Sequence, residues 1–312
     1  MKHGIIATFT LALVSLSAQA EDQACATVRL ADPGWSDIAA TNALTGAILG
    51  ALGYTGKVET LAVPIIYGGM RNGQVDAFLG NWMPAQQAHY DQFVKTGQVT
   101  ELAQNLVGTE FTLAVPTYVW EGGVKSFDDL AKHADQFGKK IYGIGAGAPA
   151  NQSLQKIIQD NEFGLGGWQL VESSEQAMLS QVGRAVKRDK WVVFLGWTPH
   201  PMNVDYPIKY LTGGDKYLTG GDKYFGTAGT VNTLTRKGYA EQCPNPARLL
   251  SNMKFTLDME NAVMSAARDK GGSYDTAAKA WLKAHPQVLE PWLQGVTTRD
   301  GQPGLPAVQK AL

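Results

Sequence analysis

Short apolar runs alternate with longer amphipathic stretches along this chain, and the alternation predicts strand and helix in turn. Residues 27–32 read as a strand, 37–52 as an apolar helix, 58–62 as a strand, 64–72 as a helix and 75–80 as a buried strand. The pattern resumes with strands over 111–118, 140–144, 168–171 and 190–196, separated by helices near 126–134, 151–160 and 174–186. After about residue 257 the period is helical: 257–269, 274–284 and 287–294, the last entered just after Pro286. Strands alternating with helices predict an α/β fold, and two α/β units in succession fit better than one sheet.

The first 20 residues break the pattern. A basic start (Lys2, His3), an apolar stretch over 5–16 and Ala18-Gln19-Ala20 ahead of Glu21-Asp22 have the form of a secretory signal peptide with an A-x-A cleavage site. The stretch is shorter than the roughly 20 residues a membrane-spanning helix needs, and no later one does better. An exported, soluble mature chain from about Glu21 is therefore expected. Its 44% hydrophobic and 18% charged composition suits a globular protein. With 27 basic and 28 acidic residues and no basic run, no nucleic-acid partner is expected.

Export changes the reading of the two cysteines. In an oxidising compartment Cys25 and Cys243 are expected to pair, the alternative being two buried thiols. Pairing returns the last third of the chain to the first strand. Lobe 1 is then discontinuous (21–113 with 208–312), lobe 2 is the inserted 114–207, and the two crossovers make a hinge. The five histidines lack ligand spacing, so neither metal nor cofactor is expected. Residues 210–216 and 217–223 are both Tyr-Leu-Thr-Gly-Gly-Asp-Lys, a tandem duplication that reads as surface loop.

Three of the eight tryptophans sit where a predicted strand meets a turn: Gly34-Trp35-Ser36-Asp37, Gly80-Asn81-Trp82-Met83-Pro84 and Gly196-Trp197-Thr198-Pro199. Open α/β sheets bind ligands at the carboxyl ends of their strands. A single tryptophan there is more often packing than ligand wall. Three in matching contexts, divided between two lobes, point to a pocket with aromatic walls, which favours a cation and above all a quaternary ammonium. The prolines two positions after Trp82 and Trp197 restrict the backbone that follows each indole. Asp37 can cap a helix start, and it can also accept a ligand hydroxyl and favour a positive charge. Trp120, Trp168, Trp191, Trp281 and Trp292 lack this context and read as packing.

Residues 143–148, Gly-Ile-Gly-Ala-Gly-Ala, match a loose G-x-G-x-x-A dinucleotide pattern, but Pro149 interrupts the approach to the helix. Glycines that let a loop approach a ligand, with Asn151 offering an amide, are the better reading. No G-x-S-x-G elbow, H-E-x-x-H or Walker loop occurs. A folded Ser, His and Asp constellation stays open from sequence alone.

The segments GWSDI (34–38), LGNWMPA (79–85), TLAVPTYVW (112–120), KKIYGI (139–144), QLVESSEQAML (169–179) and FLGWTPHPMN (194–203), with the Cys243-Pro244 context, resemble the periplasmic choline-binding proteins of bacterial ABC importers. The similarity covers essentially the whole mature chain. It implies a two-lobed type II periplasmic binding protein fold, a monomer that closes on choline and docks on an inner-membrane ABC transporter permease. By motif, the aromatic box falls on Trp35, Trp82 and Trp197, and the hydroxyl partners on Asp37 and Asn151. The fourth wall, tyrosine in the choline binder compared, is Phe111 here. Phenylalanine keeps the ring quadrupole and loses the hydroxyl. Tyr118 is no substitute if both lie on one strand, because seven positions put it on the opposite face.

Three or four desolvated cation–aromatic contacts at about 2 kcal/mol each place the affinity near micromolar. Betaine and carnitine add a carboxylate that Asp37 would repel, so choline is favoured over both. The rival expectations are a binder of another quaternary amine (betaine, carnitine or acetylcholine), an exported choline-ester hydrolase and a ligand-sensing module.

Overall fold

The computed structural model describes residues 23–217, 225–269 and 271–312. The expected leader, and the second YLTGGDK copy beyond Tyr217, lie outside the described residues.

The chain opens with β1 (Thr27–Asp32), α1 (Ser36–Ala51), β2 (Thr55–Thr60), α2 (Val63–Arg71) and β3 (Ala77–Met83). The long β4 (Val99–Pro116) follows, then β5 (Lys140–Tyr142), α3 (Pro149–Gln159), β6 (Gln169–Val171), α4 (Glu175–Val186), β7 (Phe194–Thr198) and β8 (Ile208–Tyr210). The return strand β9 (Gly226–Arg236) leads to α5 (Pro244–Asn252), α6 (Leu257–Asp269) and α7 (Tyr274–Ala284), and α6 and α7 pack on α1. Most of α1 is buried, which its small and apolar side chains permit.

The described strands form one hydrogen-bonded path, β2-β1-β3-β9-β4-β7-β5-β6, with β8 added on β4. β1 is parallel to β2 and β3, and β5 is parallel to β6 and β7. Between these two parallel groups β4 and β9 run antiparallel to each other and to their neighbours. The expectation of two separate α/β units is thus corrected: there are two lobes, but β4 outbound and β9 inbound fuse their sheets. Only 111–118 of β4 was expected as strand. Register shifts with β9 near Glu101, Gln104, Val107 and Thr109 break the period-two alternation by which a strand is recognised. β9 escaped for a different reason. Its buried positions include Asn232, Thr233 and Thr235, and Asn105 Nδ2 donates to Thr233 Oγ1 at 2.9 Å.

Cys25 and Cys243 form the expected disulfide, Cα to Cα 5.5 Å, pinning the segment before β1 to the start of α5. Beside it, buried Asp76 accepts from Arg29 Nε at 2.8 Å and Nη2 at 2.6 Å, and from Arg236 Nε at 2.8 Å. Burial works against the Asp76 carboxylate, but these two guanidinium groups prevail and hold its pKa below the usual value. No described helix is long and apolar enough to cross a membrane.

Candidate ligand-binding site

The turn out of β1 sets the first wall. Asp32 Oδ1 accepts from the N–H of Gly34 at 2.7 Å and of Trp35 at 3.2 Å, with Gly34 at φ +83°, a conformation glycine adopts without strain. Trp35 is thereby delivered directly before α1, with Asp37 in the first helical turn.

Trp82 and Trp197 lie inside β3 and β7, because each strand runs further than expected. The glycines before them answer to crowding. A Cβ on Gly80 would meet Phe78 at 2.7 Å and Ile38 at 2.8 Å, and one on Gly196 would meet Ala114 and Tyr210 at 2.8 Å. Behind Trp82, Gln86 Nε2 donates to Gly80 O at 2.7 Å, Tyr67 donates to Gln86 Oε1 at 3.0 Å, and Asn81 Nδ2 donates to Tyr67 at 2.8 Å. The peptide bonds Met83–Pro84 and Thr198–Pro199 are both cis.

Phe111 and Trp197 are direct partners across the antiparallel β4–β7 pair, which puts their side chains on one face. Phe111 stacks on Phe225 at 5.5 Å between centroids, and Trp197 meets His200 edge-on at 5.0 Å. Tyr118 is not on this strand at all. It lies in the short helix Thr117–Glu121 and donates to Lys190 O at 2.6 Å, so the parity argument gives way to a different local structure with the same outcome.

Trp35, Asp37, Trp82, Phe111 and Trp197 line a single cavity. It is completed by Ala85 and Gln86 after β3, and by Ile144 and Ala148–Ala150 ahead of and within α3. The 144–150 segment thus lines the cavity through Ile144 and Ala148–Ala150, and not through its glycines. Gln86 was missed, although it sits four positions after Trp82 in the same turn. None of the other five tryptophans reaches the cavity. Trp168 and Trp292 are buried in the core, Trp281 stacks on His285, Lys125 lies over Trp120, and Trp191 packs on Phe137.

Asn151 is placed behind the lining. Its Nδ2 donates to Ile144 O at 2.8 Å, Gly145 O at 3.1 Å and Glu172 Oε1 at 2.8 Å, while its Oδ1 accepts from the Ile144 N–H at 3.1 Å. The amide is spent on shaping the loop, and Gly143 is needed there because a Cβ would fall 2.4 Å from Asn151 Oδ1.

Charge gathers on one side of the cavity. Asp37 is 1% exposed; Trp82 Nε1 donates to its Oδ2 at 2.9 Å, and its Oδ1 has no protein partner. Burial first, and then the charge of Glu175, push the Asp37 pKa up to about 7, against the pull of the Trp82 hydrogen bond. Burial also raises Asp32, with Glu175 adding to it, although the Gly34 and Trp35 amides pull the other way. It raises the enclosed Glu260 of α6 as well, with Asp37 adding to it. No lysine or arginine lines the cavity among the described residues, and no group of His, Cys, Asp or Glu there could hold a metal ion. The arrangement suits a compact cation that carries one hydrogen-bond donor.

A two-lobed α/β sheet joined by two antiparallel crossovers, with an aromatic-lined cavity at the strand ends, is the type II periplasmic binding protein fold. Within that class the chain belongs to the substrate-binding domain family of ABC-type glycine betaine transport systems, which residues 26–284 match. It is 45% identical to an ABC-transporter choline-binding protein solved in complex with choline, with a TM-score of 0.89 over 93% of this chain and 99% of that one. Lactococcal OpuAC, closed on glycine betaine, is 28% identical with a TM-score of 0.76 over 85% of this chain and 98% of its own. A glycine betaine/carnitine transport binding protein of Listeria monocytogenes is 33% identical over 175 residues, 56% of either chain.

Proposed function

We propose that this protein is the periplasmic receptor of an ABC importer for choline. The trimethylammonium group sits among Trp35, Trp82, Phe111 and Trp197, and the ligand hydroxyl donates to Asp37. The observation that carries this reading is the unpartnered Asp37 Oδ1, buried beside three indoles with no basic side chain on the wall. A buried carboxylate oxygen without a donor is costly, and a cation bearing a hydroxyl relieves both deficits at once. Glycine betaine and carnitine would instead place a second carboxylate beside Asp37 with no lysine or arginine to receive it.

Capture is by lobe closure on the β4 and β9 crossovers, with lobe 1 formed by 21–113 and 208–312 and lobe 2 by 114–207. Pairing of β8 with Ala114–Pro116 supports carrying lobe 2 on through Tyr210. Trp35 and Trp82 then belong to lobe 1, Trp197 to lobe 2, and Phe111 to the crossover. In this reading Asn151 positions the loop at 144–148. The closed form is what an inner-membrane permease would recognise, and export by residues 1–20 puts the receptor in the periplasm.

Calorimetry with choline, glycine betaine, carnitine and acetylcholine tests the assignment. Choline is expected to bind near micromolar and tightest of the four. Absence of heat with all four at protein concentrations suited to micromolar binding would sink it, and tighter binding of glycine betaine would reassign the ligand. Release of acetate from acetylcholine would move the protein to the choline-ester hydrolase reading.

A further inference from the structure

Glu175 lies outside the cavity lining, yet it is 2% exposed and is held at both oxygens. It is the first residue of α4, in lobe 2. Its Oε2 accepts from the Ser36 N–H at 3.0 Å, and its Oε1 accepts from the Ser36 hydroxyl and from His200 Nε2 at 3.1 Å. His200, 4% exposed, takes the Met202 N–H on Nδ1 at 3.0 Å, which fixes its proton on Nε2 and makes it a donor to Glu175. Ser36 opens α1 in lobe 1 and stands between Trp35 and Asp37. The opposite end of the chain of contacts is Trp197, against whose ring His200 packs edge-on.

A buried polar path therefore runs from one wall of the box to the other, through side chains that belong to different lobes. We propose that Glu175 is the clasp of the closed state, a positioning residue of lobe 2 that fastens the start of α1 and holds Trp35 and Asp37 against Trp197. The inference rests on the two-lobed choline-receptor reading.

Hydrogen bonds to an ionised group are the strong ones; the one from His200 lies within lobe 2, whereas the two from Ser36 form only when the lobes meet. On opening, Glu175 and the Ser36 donors return to water, which compensates each of them. The clasp thus acts on the lifetime of the closed complex rather than on encounter. It also brings a further negative charge toward Asp37 and Asp32, so it fastens best when a cation occupies the box between them.

Stopped-flow tryptophan fluorescence with choline, paired with small-angle scattering, tests the clasp. In Glu175→Ala the association rate stays within about twofold, dissociation rises about ten- to a hundredfold, and choline-induced compaction shrinks. In Ser36→Ala the amide bond to Glu175 remains, and a smaller rise, about three- to tenfold, is expected. That effect must vanish in the Glu175→Ala background, since the two act as one contact. An unchanged dissociation rate in Glu175→Ala, or additive effects in the double variant, overturns the clasp. If Glu175→Ala does not fold, the Ser36→Ala dissociation rate decides alone. Should the wild type bind no quaternary amine, the receptor reading fails separately. The clasp is then judged on the ligand-free protein, where Ser36 amide exchange must be faster in Glu175→Ala and equal exchange rejects it.

Discussion

Trp82 Nε1 donates to Asp37 Oδ2 at 2.9 Å while Oδ1 of the same buried carboxylate stays unpartnered. In the proposed box, one wall thus aims the carboxylate toward the cavity. Asp37→Asn keeps the shape and an acceptor for Trp82 but removes the charge. It is expected to weaken choline binding by about 2 kcal/mol, the scale of a charged hydrogen bond, and to weaken glycine betaine less, because a repulsion disappears as well. Titration calorimetry of both ligands on both proteins measures the change. Equal losses for the two would remove Asp37 from the choice between them.

Because burial and the charge of Glu175 raise the Asp37 pKa to about 7, the proposed closure is expected to depend on pH. The ordinary value of that pKa is 3.8, which applies in the unfolded chain, and opening of the lobes, which withdraws Glu175, moves it part of the way back. Between those values the closed, empty protein holds the proton more tightly. Relative to the unfolded chain, the stability this lends is complete below the lower value and is lost as pH rises through the upper one, on the order of 4 kcal/mol in all, of which opening of the lobes releases a part. Ligand-free protein is therefore expected to be more compact at pH 5 than at pH 8 by small-angle scattering. Because a cation replaces the proton, the rise in Tm given by saturating choline should be larger at pH 8. A larger rise at pH 5 would contradict the sign.

Phe111 and Trp197 are cross-strand partners on β4 and β7, so their rings stand side by side on one face, and both line the cavity proposed to hold the ligand. Trp197→Ala should cost about 2 kcal/mol or more of choline affinity with the ligand-free Tm reduced only modestly. Phe111→Tyr adds a better cation partner and should tighten choline severalfold, whereas Phe111→Leu removes the quadrupole and should weaken it about tenfold. Calorimetry of the three variants checks the order, and Phe111→Leu binding as wild type would take Phe111 out of the box.

Much of this was legible in the chain. The three Gly-containing tryptophan segments pointed to side chains that do line one cavity, and the β1 and α1 boundaries followed from local pattern alone. What stayed hidden depends on partners far away in sequence. The Phe111–Trp197 pairing is a matter of strand register. β9 buries only Val231 and Leu234 among its described apolar side chains, and Asn232, Thr233 and Thr235 beside them dilute the apolar signal. Asn151 reads as a ligand amide until the Ile144, Gly145 and Glu172 acceptors are seen around it. Glu175 at a helix start reads as an ordinary dipole partner; folding of residues 175–200 brings His200 to it, and Ser36 reaches it from a segment 139 positions away in sequence.

The Cys25–Cys243 bond should matter for stability and not for the ligand. It closes a loop spanning 218 positions, for which the chain-entropy argument gives roughly 5 kcal/mol as an upper figure. Cys25 lies before the amino end of β1, whereas Trp35 follows the carboxyl end, so loosening one end leaves the turn fixed by Asp32 in place. The Asp76 contacts with Arg29 and Arg236 persist on the same flank and keep β1 tied to β9 after the bond is cut. Reduction, or Cys25→Ser with Cys243→Ser, is therefore expected to lower Tm by several degrees and leave choline affinity within about twofold. A melting scan and calorimetry on the same samples test both halves. A large loss of affinity at unchanged Tm would mean that the disulfide governs the box rather than the lobe that carries it.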